Sequence, residues 1–160
     1  MNARIYSVRE ILDSAVEKEG KRRSFYATAA VLTKNPDMKG LFDFLAEEEG
    51  KHLATFRQIL NGLPEETSPD EPMIANSVYL DALTDEGLYS KLGAREFVQL
   101  AIDNWNIFRI AIGFEKDAIL YFAEFLPHLS ESNRDIVRGL IQEEKGHIRK
   151  LVELMELIGE

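Results

Sequence analysis

The chain has 160 residues, 45% of them apolar, and a formal net charge of -9. That length and apolar content suit one domain with a real core, while the acidity disfavours a phosphate-backbone partner. Cysteine is absent, which excludes disulfides, thiolate zinc sites, cysteine-ligated iron–sulfur clusters and cysteine nucleophiles.

The opening Met1-Asn2-Ala3-Arg4-Ile5-Tyr6-Ser7 lacks the apolar stretch of a signal peptide. Ser7 with Glu10 reads as a capping box, opening a first helix over about 7–33 whose inner stripe is Ile11 or Leu12, Ala15, Glu19, Tyr26 and Ala30. Lys21-Arg22-Arg23, the one basic run, is too short for a nucleic-acid arm or an anionic-membrane patch. Asn35-Pro36 supplies an N-cap and a first helical position for a second helix over 36–60, through Leu41, Leu45, Glu49, His52 and Phe56. Asn61-Gly62 ends it and Pro64 prevents continuation.

Residues 61–93, with Pro64, Pro69 and Pro72, are too long for a tight hairpin and suit a crossover along a bundle, with one or two short helices. A third helix is expected over 94–126, carrying Phe97, Ala101, Phe108, Ala111, Glu115 and Phe122. Ser132 with Asp135 resembles a capped start for a fourth over 132–158, through Leu140, Glu144, His147 and Leu151. Strand signals are nearly absent, and no run of about 18 apolar residues spans a bilayer. The expectation is one all-α domain over 1–160, a four-helix bundle with ferritin-like connectivity, located in the cytoplasm.

The chain is a weak repeat of itself. Ala15–Glu19 aligns with Ala111–Glu115, Tyr26 with Phe122, and Glu48-Glu49-Gly50-Lys51-His52 with Glu143-Glu144-Lys145-Gly146-His147. Each Glu-x-x-His pair turns about 300° on a helix, so its carboxylate and imidazole leave one face about 60° apart and approach one cation. Glu19, Glu49, His52, Glu115, Glu144 and His147 all interrupt apolar stripes. Four buried carboxylates need compensation; with few inward bases in view, two divalent cations would close the charge at zero. Glu17, Glu47, Glu48 and Glu143 fall off the stripe and read as solvated. His128 reads as a surface residue, and Trp105 as core filler.

A lone Glu followed by Glu-x-x-His, repeated once, resembles the carboxylate-bridged di-iron proteins of the ferritin-like superfamily. Within it, the stretches Ala15–Ala30 and Ala46–Leu53 are similar to the rubrerythrin family. The resemblance implies that Glu49 and Glu144 bridge two metals, with Glu19 and His52 completing one coordination sphere and Glu115 and His147 the other. Iron suits this oxygen and nitrogen donor set, with manganese or zinc as possible occupants. Full-length rubrerythrins add a four-cysteine rubredoxin domain and a further glutamate where this chain has Ala118. The departures imply a simpler six-ligand site and a separate electron donor.

The expected function is a di-iron oxidoreductase whose reduced centre reacts with hydrogen peroxide or dioxygen. The alternatives are a ferroxidase or iron-handling protein, and a non-enzymatic helical binding module. No nucleic-acid or membrane partner is expected. The family implies a homodimer, with the aromatic pieces around Tyr79 and Tyr89 available between subunits.

Overall fold

The computed structural model describes residues 5–64, 73–75 and 94–159. Most of the crossover, including Tyr79 and Tyr89 and any short helices there, lies outside them. The elements are β1 (Ile5–Ser7), α1 (Val8–Leu32), α2 (Pro36–Asn61), β2 (Met73–Ala75), α3 (Arg95–Asp103), α4 (Ile107–Phe125) and α5 (Glu131–Ile158).

The local signals act as the sequence implies. Ser7 Oγ accepts from the Glu10 amide, while the Glu10 carboxylate accepts from the Ser7 amide, so two orphan donors of α1 are satisfied reciprocally. Asn35 Oδ1 accepts from the Asp37 and Met38 amides, and Pro36 occupies the first turn of α2. The Arg9 guanidinium donates to the Leu60 and Pro64 carbonyls, closing the far end of α2 from α1. α1 packs along α2 and α4 along α5, and the two hairpins meet through α1–α4 and α2–α5. The result is a four-helix bundle. No helix among the described residues is long and apolar enough to cross a membrane.

Three expectations need correction. The third helix is not continuous over 94–126: it breaks at Asn104-Trp105-Asn106 into α3 and α4, and Trp105 takes a left-handed φ of 56°. Two weak helix formers flank that break, yet Ala101 and Phe108 lie seven residues apart on either side. The apolar stripe therefore keeps its phase and hides the interruption from a reading by periodicity. Trp105 is 54% exposed rather than core filler, because the break turns it outward. The cap of α5 is Ser130, whose Oγ accepts from the Asn133 amide; Ser132 lies inside the helix and Asp135 pairs with Arg138 instead.

There is also a short antiparallel ribbon. β1 pairs with β2 in the register Ile5↔Ala75, Tyr6↔Ile74 and Ser7↔Met73, tying part of the crossover to the start of α1. Three-residue strands carry too little alternation to be seen from sequence.

The core is in two parts. One gathers Ile11, Leu12, Phe56, Tyr121, Phe122, Phe125 and their neighbours; the other gathers Phe25, Tyr26, Phe42, Phe108, Leu151 and theirs. Between them, along all four long helices, lies a buried polar layer.

Candidate metal centre

Glu19 from α1, Glu49 and His52 from α2, Glu115 from α4, and Glu144 and His147 from α5 are each at most 3% exposed. Each helix delivers its side chain because the apolar residues one turn away are locked into the two cores: Ala15 before Glu19, Leu45 and Phe56 around Glu49 and His52, Ala111 before Glu115, Leu140 and Leu151 around Glu144 and His147. Ligand atoms of Glu19, Glu49, His52 and Glu144 all lie within 4.8 Å of one another, as do those of Glu49, Glu115, Glu144 and His147.

Glu49 and Glu144 belong to both groups, and their oxygens divide accordingly. Glu144 Oε1 is 3.1 Å from His52 Nδ1, and Glu144 Oε2 is 2.9 Å from His147 Nδ1. Glu49 Oε2 and Oε1 stand 3.6 Å from the same two nitrogens respectively. Glu19 Oε2 lies 3.8 Å from His52 Nδ1, and Glu115 Oε1 lies 3.6 Å from His147 Nδ1. The two imidazole rings stack with centroids 5.5 Å apart.

Five buried oxygens accept no hydrogen bond: Glu19 Oε2, both of Glu49, Glu115 Oε2 and Glu144 Oε2. Buried acceptors are normally satisfied, and each orphan costs roughly 1–3 kcal/mol. Oxygens that face one another across a gap with two imidazole nitrogens are the donor set of a borderline divalent cation. The residues fit such an ion in each half.

The electrostatics carry the strain of this proximity. Burial pushes the Glu19 carboxyl well above the usual range against the pull of Arg22. Burial raises Glu115 in the same way, helped by the Glu49 and Glu144 charges. For Glu49, burial is overcome by the closeness of Glu19, His147 and His52 and by the Arg22 charge, which together hold it well below the usual range. For Glu144, burial and the Glu49 charge are outweighed by Glu115 and both histidines, which bring it to about 2. Burial opposes charge on the imidazoles as well, yet the surrounding carboxylates raise His52 to about 11 and His147 to about 12.

Three supporting residues complete the site. Tyr26 donates to Glu115 Oε1 at 2.5 Å, and burial with the Glu115 charge keeps its phenol protonated. Its place on the inner stripe of the first helix, with Glu19, could be read in the sequence. Tyr26→Phe should lower the stability of metal-free protein by about 1–3 kcal/mol, because it adds another orphan oxygen. The readout is a lower urea midpoint at unchanged slope.

Glu143 is not simply solvated. Its carboxylate lies 2.7 Å from His52 Nε2, although the side chain stays 53% exposed. Such a partner orients an imidazole so that its other nitrogen faces a metal. The contact runs between α5 and α2, so the apolar stripe of its own helix gives no sign of it.

Arg22 is the larger omission. It is 1% exposed, with Nη2 donating to Glu19 Oε1 and Nε 3.8 Å from Glu49 Oε2. Position i+3 from Glu19 shares that residue's face, but a place in the basic run Lys21-Arg22-Arg23 gives no sign of burial. The expected charge count is corrected in consequence. Four carboxylates, one guanidinium and two divalent cations leave one positive charge, not zero.

No curated protein matches the chain in sequence. A solved structure from Thermotoga maritima, described as a ferritin-like diiron-carboxylate protein, is similar with a TM-score of 0.72 and 25% identity, over 94% of this chain and 95% of that one. The Rubrerythrin family profile matches residues 10–155, a span that holds all six inward-facing glutamates and histidines, and the chain belongs to that family.

Proposed function

We propose that the protein is a di-iron oxidoreductase whose reduced centre reacts with hydrogen peroxide or dioxygen and is re-reduced by a separate donor. The observation that carries this reading is the set of five buried carboxylate oxygens without hydrogen bonds, converging with two imidazoles. Membership of the Rubrerythrin family supports it. Glu19 and His52 would hold one iron and Glu115 and His147 the other, with Glu49 and Glu144 available to both. A reduced iron pair supplies two electrons and Lewis acidity for O–O cleavage.

The chain's own residues set the conditions for that chemistry. The aromatic cores on both sides keep bulk water from the layer and strengthen every charge interaction inside it. Tyr26 fixes the Glu115 carboxylate, Glu143 fixes the His52 ring, and Arg22 holds one oxygen of Glu19. A glutamate that can turn about its side-chain bonds can change how many oxygens it offers without moving its helix.

Anaerobic loading with ferrous iron tests the reading directly. Wild type should retain two ions per chain, and Glu144→Ala should lose both, because Glu144 contributes to both halves. Wild type without stoichiometric metal would remove the enzyme reading and leave a helical binding module. If loaded iron leaves the protein after each oxidation instead of cycling in place, iron handling becomes the function.

A further inference from the structure

The internal repeat makes the two halves of the centre near copies, and a buried charge on one side breaks the equivalence. Glu19 aligns with Glu115, so Arg22 aligns with Ala118, each three residues later on the same helical face. Both are buried, Arg22 at 1% and Ala118 at 1% exposure. The Glu19/His52 half therefore contains a permanent positive charge that donates to its own carboxylate and lies 3.8 Å from Glu49 Oε2. The Glu115/His147 half has a methyl group in the corresponding place.

We propose that Arg22 makes the centre unequal toward divalent cations, so that the Glu115/His147 half takes the first ion tightly and the Glu19/His52 half takes the second more weakly. The inference rests on the dinuclear reading above. A guanidinium cannot lose its proton to make room for a cation. It occupies Glu19 Oε1 and leaves Oε2 as that residue's open donor. A cation in this half faces a like charge across the same carboxylate, in surroundings too dry to screen it.

Two features act in the opposite direction and are weaker. Tyr26 withdraws donor strength from Glu115, but it is neutral. Glu143 enriches His52, but it is 53% exposed and its charge is screened by solvent. The buried full charge decides the order.

Single-site variants separate the halves. Cobaltous ion, which does not undergo oxidation under anaerobic conditions, can be added to full-length protein and followed by calorimetry and visible absorption. Glu19→Gln should leave one tight site, and Glu115→Gln should leave one site weaker by roughly tenfold or more. Adding Arg22→Gln to Glu115→Gln should recover most of that loss, whereas adding Arg22→Lys, which keeps the charge, should not. Equal affinities in the two single-site variants, or a tighter site in Glu115→Gln, would overturn the proposal, and these variants decide it even where Arg22 replacements fail to fold. Recovery by Arg22→Lys equal to that by Arg22→Gln would also overturn it, because geometry rather than charge would then be responsible. No cobalt bound by wild type would remove the dinuclear reading and this inference with it; two ions bound with equal halves would remove the inference alone.

Discussion

Lowering the pH by one unit near neutrality should weaken divalent metal binding by at least about tenfold per ion. A ligating imidazole must be neutral, yet His52 and His147, raised to about 11 and 12, carry protons throughout this range. Each half of the centre contains one of them, so each ion displaces at least one proton as it binds. The sign follows from the direction of the shift. Groups whose protons are held more tightly in the folded protein compete with the metal more strongly as the pH falls. Glu19 and Glu115, also raised, add to the effect as they protonate. Glu49 and Glu144 do not, because they are held ionised. Calorimetry in buffers of different ionisation enthalpy counts the released protons. A release below one proton per ion would mean that the imidazoles are already neutral in solution and that the carboxylates do not hold them charged.

Phe122→Ala should cost about 3–5 kcal/mol, a large share of the roughly 5–15 kcal/mol margin of a domain. The ring is fully buried on α4, two turns beyond Glu115, with its centroid 4.9 Å from that of Phe56 on α2 and 6.0 Å from that of Phe125. Removing it opens a void where the α1–α2 and α4–α5 hairpins meet, among side chains already locked by one another. The melting temperature should fall by about 6–20 °C, at roughly 2–4 °C per kcal/mol for a chain of this size. The same replacement should loosen metal binding, since Phe122 helps to set the depth of α4 and so the place of Glu115. If it lowers the melting temperature by only a degree or two, this end of the core collapses readily around the void, and the close Phe56 contact contributes little.

The two results bear on one design. The bundle buries groups that are costly to bury, and the apolar layers on either side hold those groups in place. A weakened core and a shifted pH both reach the same six side chains, one through geometry and the other through protons.

Much of this was written in the sequence because its causes are local. A helix places residues i and i+3 on one face whatever surrounds it, so Glu49 with His52 and Glu144 with His147 announced themselves, as did the caps at Ser7 and Asn35. The alignment of Glu19 with Glu115 and of Glu49 and His52 with Glu144 and His147 implied the pairing of the halves. The convergence of all six residues, and the division of the Glu49 and Glu144 oxygens between two histidines, came only with the tertiary structure.

What periodicity missed has causes of longer range. Glu143 meets His52 across 91 positions of chain, at an angle that no single-helix stripe contains. The ribbon of Ile5–Ser7 with Met73–Ala75 is defined by a partner, not by its own residues. The break at Trp105 is masked by an apolar phase that runs on through it. Arg22 is the most instructive case, because its position on the Glu19 face could be read while its burial could not. A charged side chain goes inside only when carboxylates are waiting there to receive it. Those of Glu19 and Glu49 come from two different helices, so only the packing of α1 against α2 decided where this arginine belongs.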